Sequence, residues 1–142
     1  MTTKYAITIS GLFVTLALCS CATTPIPSER AILISNDQVI DSRYMKQAPD
    51  TGEVIIKRDD GFGGSACSSK VFVDSIPIAV LWRAEKVVLY LPEGDHIFGA
   101  WPNGVCGGGL SETRGTVQIG KRITFRIGYG SNGDYYIVPT AF

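Results

Sequence analysis

From residue 53 onward the chain is a succession of short apolar runs, each ended within a few residues by Gly, Pro, Asn, Asp or Ser, and none extends into the stripe of an amphipathic helix. That rhythm restricts the fold to strands joined by tight turns. It is clearest at residues 122–127, where Ile123, Phe125 and Ile127 share one face and Thr124 and Arg126 the other. Further strands are expected at 53–58, 70–74, 76–83, 86–91, 95–101, 116–119 and 135–138. Residues 70–74 and 76–83 read as a hairpin turned at Asp74-Ser75, with Pro77 marking an edge strand. Residues 86–91 and 95–101 read as a pair joined by Pro92-Glu93-Gly94, and 116–119 and 122–127 as a pair joined by Gly120-Lys121. Seven to eight strands without a helix predict an all-β fold, a small antiparallel β-sandwich. The 16 glycines follow no fixed period and belong to turns and loops.

Pro49-Asp50-Thr51-Gly52 punctuates strongly, so the sandwich domain is expected over 51–142. Before it, Thr23, Thr24, Pro25, Pro27 and Ser28 have the composition of a tether, while 31–34 and 39–40 are apolar enough to pack on the domain. Residues 21–50 are therefore expected to be a tether that is partly packed. The 13 basic and 13 acidic side chains balance, and nothing in them steers nucleic acid.

The N-terminus carries an address. Lys4 is followed by an apolar stretch from Ala6 to Leu18, long enough for a signal peptide and too short to span a bilayer. Leu18-Cys19-Ser20-Cys21 closes it and resembles a lipobox, with Leu at −3, a small residue at −1 and the cysteine that is acylated after cleavage. Cys19 fits worse because Leu18 would then stand at −1. The resemblance implies a lipoprotein signal peptide over 1–20 and lipid on Cys21. With Ala22 rather than Asp next, it also implies the outer membrane of a Gram-negative cell, with the domain facing the periplasm. Several acyl chains, at roughly 0.8 kcal/mol per buried methylene, would anchor the protein permanently.

Two cysteines remain, Cys67 and Cys106, each in a glycine-rich stretch. An even pair in an exported chain is most simply a disulfide, and closing a loop of about 40 residues contributes on the order of 4 kcal/mol in the chain-entropy model. A thiolate metal site and a redox pair are the rival readings. Both lack support, because there is no Cys-x-x-Cys and the single histidine, His96, lies in a strand.

Val71-Phe72-Val73-Asp74, Pro77, and the run from Val87 through Leu91-Pro92-Glu93-Gly94-Asp95-His96 are similar to the PEGA-type β-domains of bacterial envelope proteins. Ser75 stands in place of that motif's turn glycine and Glu93 in place of its second proline. The likeness covers 70–101, and the motif is a turn signature without chemistry. More of the chain, including Lys57 to Cys67, Cys106 to Gly109 and the Pro139 to Phe142 ending, resembles small bacterial outer-membrane lipoproteins with such a domain. That resemblance implies a shape and an address.

Few residues carry a pattern that points to chemistry. Gly61-Phe62-Gly63-Gly64 and Gly107-Gly108-Gly109 lack the Gly-Lys-Ser/Thr of a phosphate loop. Ser65, Ser68 and Ser69 have no base paired with them in sequence, and His96 belongs to the turn motif. Asp59 and Asp60 are adjacent carboxylates of the kind that bind a cation or, more often, cap a turn. Phe62, Trp82, Trp101, Tyr129, Tyr135 and Tyr136 would line a recognition surface where exposed and pack the core where not. No enzyme activity, metal or cofactor is expected. The reading is a non-enzymatic, lipid-anchored envelope protein acting as a structural or protein-binding module; the alternative is an inhibitor of a cell-wall hydrolase such as lysozyme. A bridge between Cys67 and Cys106 would draw two loops to one end of the sandwich. The expected binding rim there is Asp59, Asp60, Phe62, Trp101 and Asn103.

Overall fold

The computed structural model describes residues 22–142; the expected leader and Cys21 lie outside the described residues. The strands are β1 (Ile32–Leu33), β2 (Thr51–Arg58), β3 (Ser69–Val73), β4 (Ile76–Leu81), β5 (Glu85–Pro92), β6 (Gly94–Pro102), β7 (Ser111–Val117), β8 (Arg122–Tyr129) and β9 (Tyr135–Pro139). A single 3-10 turn at Asn36–Gln38 is the helical element among the described residues. The strands form two layers, a five-stranded sheet in the order β1-β5-β2-β8-β9 and a four-stranded sheet in the order β4-β3-β6-β7. This is the expected all-β sandwich, with nine strands.

Alternation fixes which side chains enter the core. Val54 and Ile56, Val71 and Val73, Leu89 and Leu91, Phe125 and Ile127 point inward from their strands and are buried. Phe98 and Phe125 meet across the layers with ring centroids 4.4 Å apart. The β3–β4 hairpin turns at Asp74 and Ser75, both with positive φ (48° and 70°), the conformation of a two-residue type I′ turn. The Asp74 carboxylate locks the turn by accepting the Ile97 N–H at 2.8 Å and meeting His96 Nδ1 at 2.7 Å. As Pro77 implies, β4 is an edge strand.

Three expectations about pairing do not hold. β5 and β6 do not pair, and neither do β7 and β8; in each case the connection carries the chain from one sheet to the other. At the first corner Pro92 has no N–H to offer a hairpin ladder, and Gly94 turns the chain at φ 140°. Nor are the sheets purely antiparallel, because β2 pairs with β8 in parallel and β1 with β5 likewise. Side-chain periodicity sets the faces of a strand but carries no information about its neighbour or its direction.

The segment expected as a partly packed tether is bound to the sandwich along its course. The Thr23 N–H donates to the Tyr129 carbonyl at 2.9 Å, and Thr24 and Asp60 exchange backbone bonds of 2.8 and 3.0 Å. Lys57 Nζ donates to the Ile26 carbonyl at 2.6 Å and Lys86 Nζ to that of Ser28 at 2.6 Å, so this strap crosses the outer face of the five-stranded sheet. Further on, the Ile40 N–H donates to Ile78 at 2.8 Å, which covers part of the free edge of β4. The proline-rich composition conceals these anchors because they are supplied by lysines and backbone groups elsewhere in the chain.

Candidate functional site

The C-terminal ends of β2, β4, β6 and β8 and the starts of β3, β5, β7 and β9 gather at one end of the sandwich. There the Cys67–Cys106 disulfide joins the two glycine-rich loops, with Cα atoms 6.1 Å apart. Beneath it lies Arg58, which the alternation of Val54 and Ile56 directs inward and which is 1% exposed. Its guanidinium donates to the carbonyls of Cys67, Gly64 (2.5 Å) and Leu81 (3.4 Å), so one buried cation organises the loop by binding neutral acceptors. Burial pushes the guanidinium below its usual range, opposed by nearby Tyr135 and Tyr129. Gly64, at φ 64°, rests on Tyr129; a Cβ at this position would fall on that ring.

Asp59, one residue further along the chain, points the opposite way. Its fully buried carboxylate lies under the strap, where Oδ2 meets Arg126 Nη2 at 3.1 Å and accepts the Thr23 hydroxyl at 3.1 Å. Arg126 also donates to the Tyr136 hydroxyl. Gly128 makes room for the group, because a Cβ there would stand 2.5 Å from both Asp59 Oδ2 and Thr23 Oγ1. Asp60 is exposed, 4.0 Å from Arg83. The adjacent carboxylates therefore do not form one cation site, and Asp59 is an interior residue rather than part of a rim.

Two carboxyls should titrate in opposite directions. Burial raises Asp59 above its ordinary value of 3.8, opposed by Arg126 and the Thr23 hydroxyl. At Asp74, desolvation is outweighed by the Ile97 N–H and His96, which hold the carboxyl below 3.8. The raised group contributes most to stability below its unfolded value, and that contribution falls as pH rises through the folded value. The lowered group contributes fully above its unfolded value and loses that contribution as pH falls through the folded one. A carbon-detected NMR titration is expected to place Asp59 above and Asp74 below 3.8; titration of both at that value would contradict the assignment.

Of the remaining expected rim residues, Asn103 is occupied internally, its N–H donating to the Ser68 carbonyl at 2.8 Å and its amide to Ser68 Oγ at 3.0 Å. Phe62 is 83% exposed at the tip of its loop and Val105 is 98% exposed at the tip of the other. Phe62 also borders a groove with Thr24, Pro25, Arg30 and Arg83. Trp101 lies on the outer face of the four-stranded sheet, directly across from Lys70, which in turn faces Val80. Trp82 continues the same face beyond β4, and Ile97 is exposed further along β6. Leu110 and Phe72 close over Gly99 between them. The result is a face of exposed aromatic and aliphatic side chains, with Lys70 between Trp101 and Val80 and with Glu112 and Arg114 along the β7 margin. The five-stranded sheet has its outer face crossed by the strap.

Val105 and the groove arginines are functional candidates that the sequence does not mark, and Arg58, which its position suggests as a partner for Asp59 or Asp60, binds backbone carbonyls instead. Parity could have found Arg58, since it continues the inward series of Val54 and Ile56. His96 is remote from the serines near Cys67: Ser69 pairs with Pro102 at one end of β6, while His96 lies six residues away, about 20 Å along the strand. His96 is bound to Asp74 and to the Pro92 carbonyl at 3.0 Å. No group of three or more metal-ligating side chains occurs among the described residues. Comparison with protein-family models, curated proteins and solved structures finds no match.

Proposed function

We propose that this chain is a non-enzymatic lipoprotein of the bacterial envelope, acylated at Cys21, held in the outer membrane and facing the periplasm, whose sandwich serves as a protein-binding module. The observation that carries the binding role is the exposed set of Trp82, Trp101, Ile97 and Leu110 on the outer face of the four-stranded sheet. Exposed aromatic anchors beside charged side chains are the anatomy of a protein interface, and a packed sheet holds those anchors with little ordering entropy left to lose. The position of Asn103 and Trp101 favours this face over the two glycine-rich loops, which the hydrolase-inhibitor alternative would insert into an enzyme cleft.

Metabolic labelling with a fatty-acid analogue is expected to mark the wild type and not Cys21→Ser; labelling that survives the substitution would overturn the anchor. For the binding role, a photo-crosslinking residue at position 101 in native membranes should capture an envelope protein, while one at position 138 on β9 should not. Once that protein is identified, Trp101→Ala is expected to weaken its binding by more than about 1 kcal/mol without unfolding the domain. Unchanged affinity would remove this face from the interface.

A further inference from the structure

We infer that the disulfide-linked end of the sandwich is a membrane-docking surface, with Phe62 and Val105 inserted into the interfacial zone of the leaflet that holds the acyl chains. This rests on the acylation of Cys21 proposed above. Two observations lead to it.

The attachment point is at this end. Cys21 is bonded to Ala22, so their Cα atoms are about 3.8 Å apart. The Ala22 carbonyl oxygen lies 3.8 Å from the place a Cβ would occupy on Gly61, the residue next to Phe62. From Thr23 onward the strap is hydrogen-bonded to Tyr129 and Asp60. No free spacer therefore separates the acylated residue from the folded domain, and the end that holds Ala22 must sit at the bilayer surface.

The two ends of the sandwich also differ in what they expose. At the disulfide end the two loop tips present Phe62 and Val105, and the bridge fixes them relative to each other, reinforced by the Cys106 N–H on Cys67 Sγ at 3.1 Å. The polar 131–134 turn shares this end. At the opposite end the turns expose Asp50, Glu93, Gln118 and Lys121, with Ile119 among them. The charges beside Phe62 are mixed, with Arg30 and Arg83 against Asp60, which stands 4.0 Å from Arg83, so the contact is assigned to apolar insertion, in which the preordered tips give up little conformational freedom.

The test uses the full-length protein, acylated in cells and reconstituted into phosphatidylethanolamine–phosphatidylglycerol vesicles, with a benzophenone side chain at position 62, 105 or 93. Intact mass first establishes whether Cys21 is acylated; an unmodified Cys21 overturns the anchor and the docking with it. With acylated protein, lipid adducts are expected at 62 and 105 in several-fold greater yield than at 93. Equal yields at the three positions would overturn the docking while leaving the anchor intact. A protein adduct from native membranes at 62 or 105, in place of lipid, would overturn it in favour of a partner bound by the loops. Serine at both tips should leave the protein membrane-bound and increase amide exchange in residues 61–64 and 103–107.

Discussion

Arg58→Met is expected to destabilise the domain by about 3–5 kcal/mol, more than any substitution on its surface. Methionine keeps much of the volume and removes the donors. The carbonyls of Gly64, Cys67 and Leu81 would then lose the guanidinium that now bonds them. Each buried acceptor left unsatisfied costs about 1–3 kcal/mol, and Arg58 is too well buried for water to replace the lost bonds without opening the loop. Arg58→Lys keeps the charge but not the fork of donors, so it should fall between the two. Urea unfolding with unchanged slope would measure the loss, and a methionine variant within about 1 kcal/mol of wild type would show that these bonds contribute little.

Replacing Cys67 and Cys106 together by serine should remove about 2–5 kcal/mol, as loss of a native bridge from a small domain does. The cysteines are 39 residues apart, which places the entropic part toward the upper half of that range. Because Arg58 holds the carbonyl of Cys67 itself, the two losses should not add: with the loop already released, the guanidinium has fewer fixed acceptors. A double-mutant cycle on Arg58 and the cysteine pair measures that coupling, and strict additivity would mean that the bridge and the arginine hold the loop independently.

Local features of this fold were legible in the sequence where one residue type decides the geometry. The Asp74-Ser75 turn, the edge position of β4, the inward set of β8 and the disulfide all belong to that class. The crossings at Pro92 to Gly94 and at Gln118 to Lys121 do not, because a turn signal reports that the chain reverses and not which layer it enters. The parallel β2–β8 pair joins segments far apart in the chain and leaves no local trace. β7 was harder still: Glu112, Arg114 and Thr116 face solvent and Gly115 faces inward, so the hydrophobic half of its alternation is nearly absent. At the site, the same alternation that read β8 correctly would have separated Arg58 from Asp59 had it been extended past residue 58. Charged side chains in a row suggest a solvated loop, whereas here Lys57, Arg58 and Asp59 are all buried, on alternating sides of the sheet.

The strap has a mechanical consequence. Thr24 and Asp60 pair antiparallel, so the strap begins along the strand direction, and a pull on Ala22 away from that end is directed along the strands. Such a force loads the Thr23–Tyr129 and Thr24–Asp60 bonds together, in shear, and passes to the ammonium clamps of Lys57 and Lys86 further in. Bonds loaded side by side share the tension, whereas bonds pulled crosswise would open one after another. Tension applied at the N-terminal side should therefore drag the sandwich as a rigid body before it unzips the strap.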